Sequence, residues 1–273
     1  MRESVGLAGV DLHLGYHGHQ VVDGASLRIE AASVTALVGP NGSGKSTLLR
    51  ALARLHKPES GEIAFPDGQS ALDLSSKDFA RRVTLLSQSR PTPNGVSVRD
   101  VVGYGRHPYR GRWRNDDPDG NQAINHAMDV TGVTAMAERA VDELSGGELQ
   151  RVWLATCLAQ DTGVLLLDEP TTFLDLRYQI EILDLMRDLA DDHEVAVGVV
   201  LHDLNQAAAV ADRIALLDRG RIRATGTPAE VLEADALSET YGIRIEVGTD
   251  PATGLLSTQP IGKHTQRPTL QNT

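Results

Sequence analysis

A single cysteine, Cys157, stands in a chain of 273 residues, so no disulfide can close within one molecule. It lies in the apolar run 153–158, where a free thiol behaves as a small hydrophobe. A disulfide-built scaffold is excluded, and a cytoplasmic compartment is expected. No run of 18 apolar residues occurs, so no segment is expected to cross a bilayer as a helix. The opening residues, MRESVGLAGVDLHLG, lack a basic stretch followed by an apolar one and are expected not to act as a signal peptide. Basic residues are the minority, 26 against 37 acidic, and the net charge of −11 disfavours sequence-independent binding to nucleic acid. Repeats of 20 to 50 residues and low-complexity blocks are also missing, which removes solenoids. What is present, 41% hydrophobic and 23% charged residues, is the composition of an ordinary globule. The length fits two domains or one α/β unit carrying an inserted lobe.

Two alternating segments, 7–16 and 21–30, flank a turn containing Gly18 and read as a hairpin at the edge of an antiparallel sheet. Residues 34–38 differ. They form the continuous apolar run of a strand buried on both faces, and lead through a glycine-rich turn into a helix over 45–55. Further apolar strands are expected at 83–87, 164–168, 195–201 and 214–217, with helical patterns beside each. Between residues 91 and 161 the periodicity is helical with proline and glycine breaks, which reads as an inserted helical lobe. The last fifteen or so residues, rich in Pro, Thr and Gly, are expected to be loosely held.

Gly39-Pro40-Asn41-Gly42-Ser43-Gly44-Lys45-Ser46 satisfies G-x-x-x-x-G-K-[ST] between a buried strand and a helix, the context the motif requires. The glycines let successive backbone N–H groups point inward, making an anion site at the positive end of the helix. Lys45 is placed to reach the β- and γ-phosphates, Ser46 to offer its hydroxyl to Mg²⁺, and Thr47 to bond the α-phosphate. Such a cradle needs an acid to hold the metal. Residues 164–170, VLLLDEP, supply two adjacent carboxylates at the end of a buried strand, where ligands sit in open α/β sheets. Two neighbouring carboxylates need a cation or a proton between them, so Asp168 is assigned to Mg²⁺ and Glu169 to the attacking water as general base.

Leu144-Ser145-Gly146-Gly147-Glu148 precedes the acidic strand by about twenty residues, and with it the chain resembles the ATP-binding cassette (ABC) ATPases that drive membrane transporters. Ser145, Gly146 and Gly147 open the helix expected over 148–159 and form a second anion-binding helix N-terminus. The resemblance implies an α/β P-loop NTPase fold with an inserted helical subdomain and an antiparallel β edge. It further implies a head-to-tail pair of copies, the signature of each closing over the nucleotide of the other. On the same grounds Tyr16 is the aromatic that stacks on adenine, Gln88 the glutamine that contacts Mg²⁺ and hinges the helical lobe, and Asp175 part of the loop through which the copies sense each other. His202, at the end of strand 195–201, matches the histidine that bonds the γ-phosphate and positions the water. The ATP-binding domain is expected over 1–249, with its helical subdomain at about 89–160 and a tail over 250–273.

Less general residues narrow the resemblance. PTTFLD at 170–175, LHDLNQA at 201–207, GRHP at 105–108 and YGI at 241–243 are similar to the subgroup serving iron–siderophore, haem and vitamin B12 importers, iron–siderophore uptake being the nearest. Glu148-Leu149 departs from that subgroup. The implied cofactors are ATP and Mg²⁺. The implied partners are a second copy, integral membrane permease subunits and, through them, a substrate-binding protein, with the chain peripheral on the cytoplasmic face of the inner membrane. The block 106–114, with four arginines and two aromatics, reads as the surface receiving the membrane subunit, a solvated face and an RNA-binding stretch being the alternatives. His13, His17 and His19 share strand parity, but a metal site is disfavoured because no carboxylate or cysteine joins them. A soluble scaffold cassette or a P-loop kinase remains as an alternative class; the former typically carries two cassettes or a coiled coil, and the latter leaves the signature unexplained.

Overall fold

The computed structural model describes residues 6–88, 91–110 and 117–263. The hairpin forms as β1 (Leu7–Tyr16) and β2 (His19–Ile29). The apolar run becomes β3 (Ser33–Val38), buried at every residue, and leads through the glycine turn into α1 (Lys45–Leu52). This helix stops three residues before the expected end, where Arg54 turns the chain at φ +58°. A strand that the sequence reading did not mark, β4 (Ser60–Ala64), pairs with β1, giving a three-stranded antiparallel sheet in the order β2-β1-β4. After the short α2 (Ser76–Ala80) comes β5 (Val83–Leu86).

The inserted lobe holds α3 (Val98–Gly103), α4 (Gly120–Val130) and α5 (Gly146–Ala159), with no strand among its described residues. These helices close on a core of their own in which Val98, Val102, Ile124, Met128 and Val152 meet. The chain then returns through β6 (Val164–Asp168), α6 (Leu176–Asp191), β7 (Ala196–Val200), α7 (Leu204–Val210), β8 (Arg213–Asp218) and β9 (Arg221–Gly226). The main sheet runs β5-β6-β7-β3-β8-β9, parallel except for the antiparallel β9. Strand parity explains its all-apolar sequences. Val34, Ala36 and Val38 join α6 and α7 in one layer, while Leu37 points to the opposite layer with Leu48, Leu49 and the antiparallel sheet.

After α8 (Pro228–Val231) and α9 (Ala234–Tyr241), β10 (Ile245–Thr249) and β11 (Leu256–Pro260) pair as a second hairpin. The boundary expected at 249 therefore falls inside a paired element, and residues 250–263 are tied to the domain. Thr258 is nearly enclosed, and Ile245 joins the main core. Residues 264–273 of the expected tail lie outside the described residues. Among the described residues no helix is long and apolar enough to cross a membrane.

Among the described residues of the arginine block, Arg106 is not on the surface. Arg106 is 3% exposed and forks onto Asp117 at 2.9 and 2.7 Å, while its third nitrogen donates to the Ala159 carbonyl at 2.9 Å. Its guanidinium also lies 3.8 Å from the Tyr109 ring centre. Residues 111–116 of the block lie outside the described residues. The Arg106 bond holds the Asp117 carboxyl below the usual carboxylate range. A lowered folded pKa means that the pair contributes fully above the unfolded value of about 3.9 and is lost as acid carries the pH below it. Removing one member of an enclosed pair strands the other. Arg106→Met is therefore expected to destabilise the chain by about 3 kcal/mol at neutral pH, read by thermal unfolding. The deficit should shrink on acidification below pH of about 4, where the parent loses the same contact.

Candidate active site

The cradle sits at the carboxyl end of β3, between β7 and β8 within the parallel strands, where the open sheet presents its crevice. Gly44, the residue before α1, has φ +103°, and a Cβ there would lie 2.9 Å from the Val22 side chain. No side chain caps α1 and its first turn carries no acid, so the leading N–H groups keep their capacity for an anion. Below the loop, Gly220 N–H donates to the Ser43 carbonyl at 3.0 Å and Asp23 N–H to the Gly220 carbonyl at 2.8 Å. The β8–β9 turn and β2 thus brace the loop. Lys45, 5% exposed, donates its ammonium to the Gly39 and Pro40 carbonyls at 2.8 and 2.9 Å. Burial pulls this ammonium below the ordinary lysine value, and the carboxylates of Glu169 and Asp168 oppose the shift.

Asp168 ends β6 with its side chain fully enclosed. Ser46 donates to its Oδ1 at 2.6 Å, and Arg50 approaches Oδ2 at 3.3 Å. Glu169 follows in the left-handed region, φ +56°, an uncommon conformation for a residue with a Cβ. That turn aims the carboxylate at a cluster of donors. His202 Nε2 lies 2.7 Å from Oε1, Gln88 Nε2 donates to Oε2 at 2.6 Å, and Thr172 Oγ1 donates to Oε2 at 3.3 Å. An ionised carboxylate only accepts, so in these contacts the His202 nitrogen carries the hydrogen. Asn41, Gly42 and residues 44–47 of the cradle, with Val21, Glu169 and His202, border one open cleft of about 160 Å³.

The structure thus brings together Lys45, Ser46, Thr47, Gln88, Asp168, Glu169 and His202 around the loop Gly39, Pro40, Asn41, Gly42, Ser43 and Gly44. Other expected site residues stand apart. The Tyr16 ring lies against His56 at 4.4 Å and does not border the cleft. Asp175 is the residue before α6 and is exposed. Ser145 caps α5, and neither it nor Gly146 or Gly147 lines the cleft of its own chain. At Gly147 a Cβ would meet the Tyr178 ring at 2.4 Å, whereas at Gly146 it would enter open space. Glu148, the departure from the subgroup pattern, has a local structural reason. It completes a capping box by accepting Ser145 N–H at 2.8 Å, and that bond draws its carboxyl below the usual range.

Sequence reasoning missed Arg50 and Val21, which belong to no motif string, and gave no role to Thr172 within PTTFLD. It also missed that folding brings Asp11 and Asp23 within 3.5 and 3.3 Å of His13. The reading that no carboxylate joins the histidines is corrected, since the hairpin register sets these residues side by side.

The sequence profile of the ABC transporter family matches residues 22–172. The ferric enterobactin transport ATP-binding protein FepC of Escherichia coli (strain K12) is 42% identical over 267 residues, 96% of this chain and 97% of that protein. This chain belongs to the ABC transporter family. Its fold matches, with a TM-score of 0.82 and 26% identity, a transporter assigned to the metal-chelate ABC type and solved facing inward, over 95% of this chain and 98% of that one. A dimeric bacterial ABC transporter cassette, MJ0796, matches at a TM-score of 0.70 and 25% identity over 81% and 98% of the two chains. As a member of the family, the chain is an ATP-binding, ATP-hydrolysing subunit coupled to transport.

Proposed function

We propose that this chain energises uptake of an iron–siderophore complex, as a head-to-tail pair of copies bound to permease subunits at the cytoplasmic face of the membrane. The reading of the cargo rests on the 42% identity with the ferric enterobactin protein along almost the whole of both chains. The reading of the chemistry rests on one observation: a single carboxylate, Glu169, held between His202 and Gln88 at the mouth of a phosphate cradle.

In this reading the N–H groups of the cradle, Lys45 and Thr47 hold the phosphates, and Tyr16, 41% exposed and backed by His56, offers its free face to adenine. Ser46, Asp168 and Gln88 provide hard oxygen donors, and the enclosed Ser46–Asp168 contact suits Mg²⁺. Bound there, the ion would neutralise charge on the β- and γ-phosphates. Glu169 accepts a proton as water oxygen bonds to the γ-phosphorus, the bond from that phosphorus to the β-phosphate oxygen breaks, and His202 holds the carboxylate in place.

Ser145, Gly146 and Gly147 act on the nucleotide of the second copy. The open space at Gly146 supports close approach from outside, as does Phe173, 96% exposed at φ +64° beside Asp175. Loss of the terminal phosphoryl removes the differential contact and lets the pair open. For the permease, an open groove of about 360 Å³ beside β5, lined by Leu55, Phe79 and Leu85, is a better receiving surface than the buried Arg106. The substrate-binding protein is met only through the permease.

Cells lacking the chain, supplied in turn with radiolabelled ferric siderophore, haem and cobalamin, are expected to lose ferric siderophore uptake alone and to regain it with the parent chain. A deficit confined to cobalamin or haem would reassign the cargo. Unchanged uptake of all three would end the importer reading.

A further inference from the structure

The C-terminal hairpin is held against the helix that follows His202. Asn205, in the first turn of α7, accepts Thr258 N–H and Thr258 Oγ1–H on its Oδ1 at 2.7 and 3.0 Å and donates its amide to the Thr258 carbonyl at 3.3 Å. The side chain thereby pairs with β11 as a neighbouring strand would. Both elements are short. Seven residues of α7 and five-residue strands in β10–β11 have little stability of their own, so external contacts set their orientation. On its other side α7 is tied to the 170–175 loop, where Gln206 accepts from Thr171 Oγ1 at 3.0 Å, and to α6, where it donates to Gln179 at 2.9 Å. Between these ties stands Asp203, whose carboxylate accepts the N–H groups of Asn205 and Gln206 at 2.7 and 3.1 Å, with His202 directly before it.

A second contact reaches the same region. Tyr241, at the end of α9, has a fully enclosed hydroxyl without a partner of hydrogen-bond geometry, facing the Gly39 backbone of the cradle. Burial pushes this phenol up to about 12, and the Gly39 backbone group works against that rise. The hydroxyl is therefore neutral.

We infer that Asn205 and Thr258 are positioning residues for ATP hydrolysis: by fixing α7 to the C-terminal hairpin they hold His202 at the 2.7 Å contact with Glu169. Turnover then depends on residues 245–260, which contribute no group to the cleft. This inference rests on the role given to His202 under the proposed function.

The test is a double-mutant cycle in the full-length chain, reading single-turnover hydrolysis of labelled ATP, with nucleotide affinity and thermal unfolding measured beside it. Asn205→Ala is expected to lower turnover about tenfold with affinity changed less than about twofold, and Asn205→Asp, which keeps the acceptor for Thr258 N–H and Oγ1–H but loses the donor to the Thr258 carbonyl, to recover part of the loss. In a His202→Ala background, Asn205→Ala is expected to cost nothing further. Equal losses in both backgrounds would mean a general effect on the fold and overturn the inference. So would parental turnover in Asn205→Ala when His202→Ala is impaired. Parental turnover in His202→Ala itself would instead overturn the underlying reading. If Asn205→Ala fails to fold, the same cycle with Asn205→Gln, which keeps the amide but displaces it by one methylene, decides between these outcomes.

Discussion

Glu169→Gln is expected to bind ATP with near-parental affinity, to release phosphate at about 10²- to 10⁴-fold below the parental rate, and to accumulate as a dimer in Mg-ATP. The substitution keeps the shape and backbone of a residue already committed to φ +56°. What it removes is the basic oxygen pair. In the parent, both oxygens face donors: Oε1 meets His202, and Oε2 meets Gln88 and Thr172. A carboxamide has one accepting oxygen, so its NH₂ must face either His202 or Gln88 and lose that contact. A loss of this size raises the barrier by about 3–6 kcal/mol, at about 1.4 kcal/mol per tenfold. The enclosed Asp168 gains by the change, because a neighbouring negative charge disappears. Phosphate release and size-exclusion chromatography with Mg-ATP check both parts. Release within tenfold of the parent would remove Glu169 from the role of base.

The chemistry of this site was legible in the sequence to the extent that it is local. The cradle, the VLLLDEP strand and the signature are short strings whose neighbours in the chain are also their neighbours in space, and β1 and β6 occupy the predicted residues. Long-range register was not legible. Nothing in Tyr16 itself tells which way its ring turns, and the structure sets it on His56, forty residues later in the chain. Arg106 read as surface because it stands among arginines, yet the approach of α5 and Asp117 encloses it. Among strands, β3 and β6 announce themselves by apolar runs, because both faces are covered. The strands β4, β9, β10 and β11 are short and alternate or lie exposed, so backbone pairing rather than side-chain burial defines them. For the same reason residues 250–273 read as a tail outside the domain, where Thr258 in fact docks on Asn205.

Lys45→Ala is expected to weaken ATP binding by about 30-fold or more and to take turnover down with it, while the fold persists. The ammonium is the cleft's own cation: Asp168 and Glu169 raise its pKa from the other side, and the Gly39 and Pro40 carbonyls accept from it. Without it, two carboxylates face an incoming polyphosphate with no local countercharge beyond Arg50. A charge-assisted hydrogen bond is worth about 1.5–3 kcal/mol, which is about 10- to 150-fold in affinity. The β3 and α1 cores do not use the lysine side chain, so thermal unfolding should move little. The pH dependence gives a separate check with a fixed sign. Burial lowers the Lys45 pKa below the ordinary lysine value, so in the free protein the charged form is lost at a less alkaline pH than for an exposed lysine. Parental ATP affinity should therefore fall as pH rises toward that lowered value and recover on acidification, whereas Lys45→Ala should show no such alkaline limb. Fluorescent nucleotide titrations from neutral to alkaline pH read both chains, and identical profiles would separate Lys45 from the phosphates.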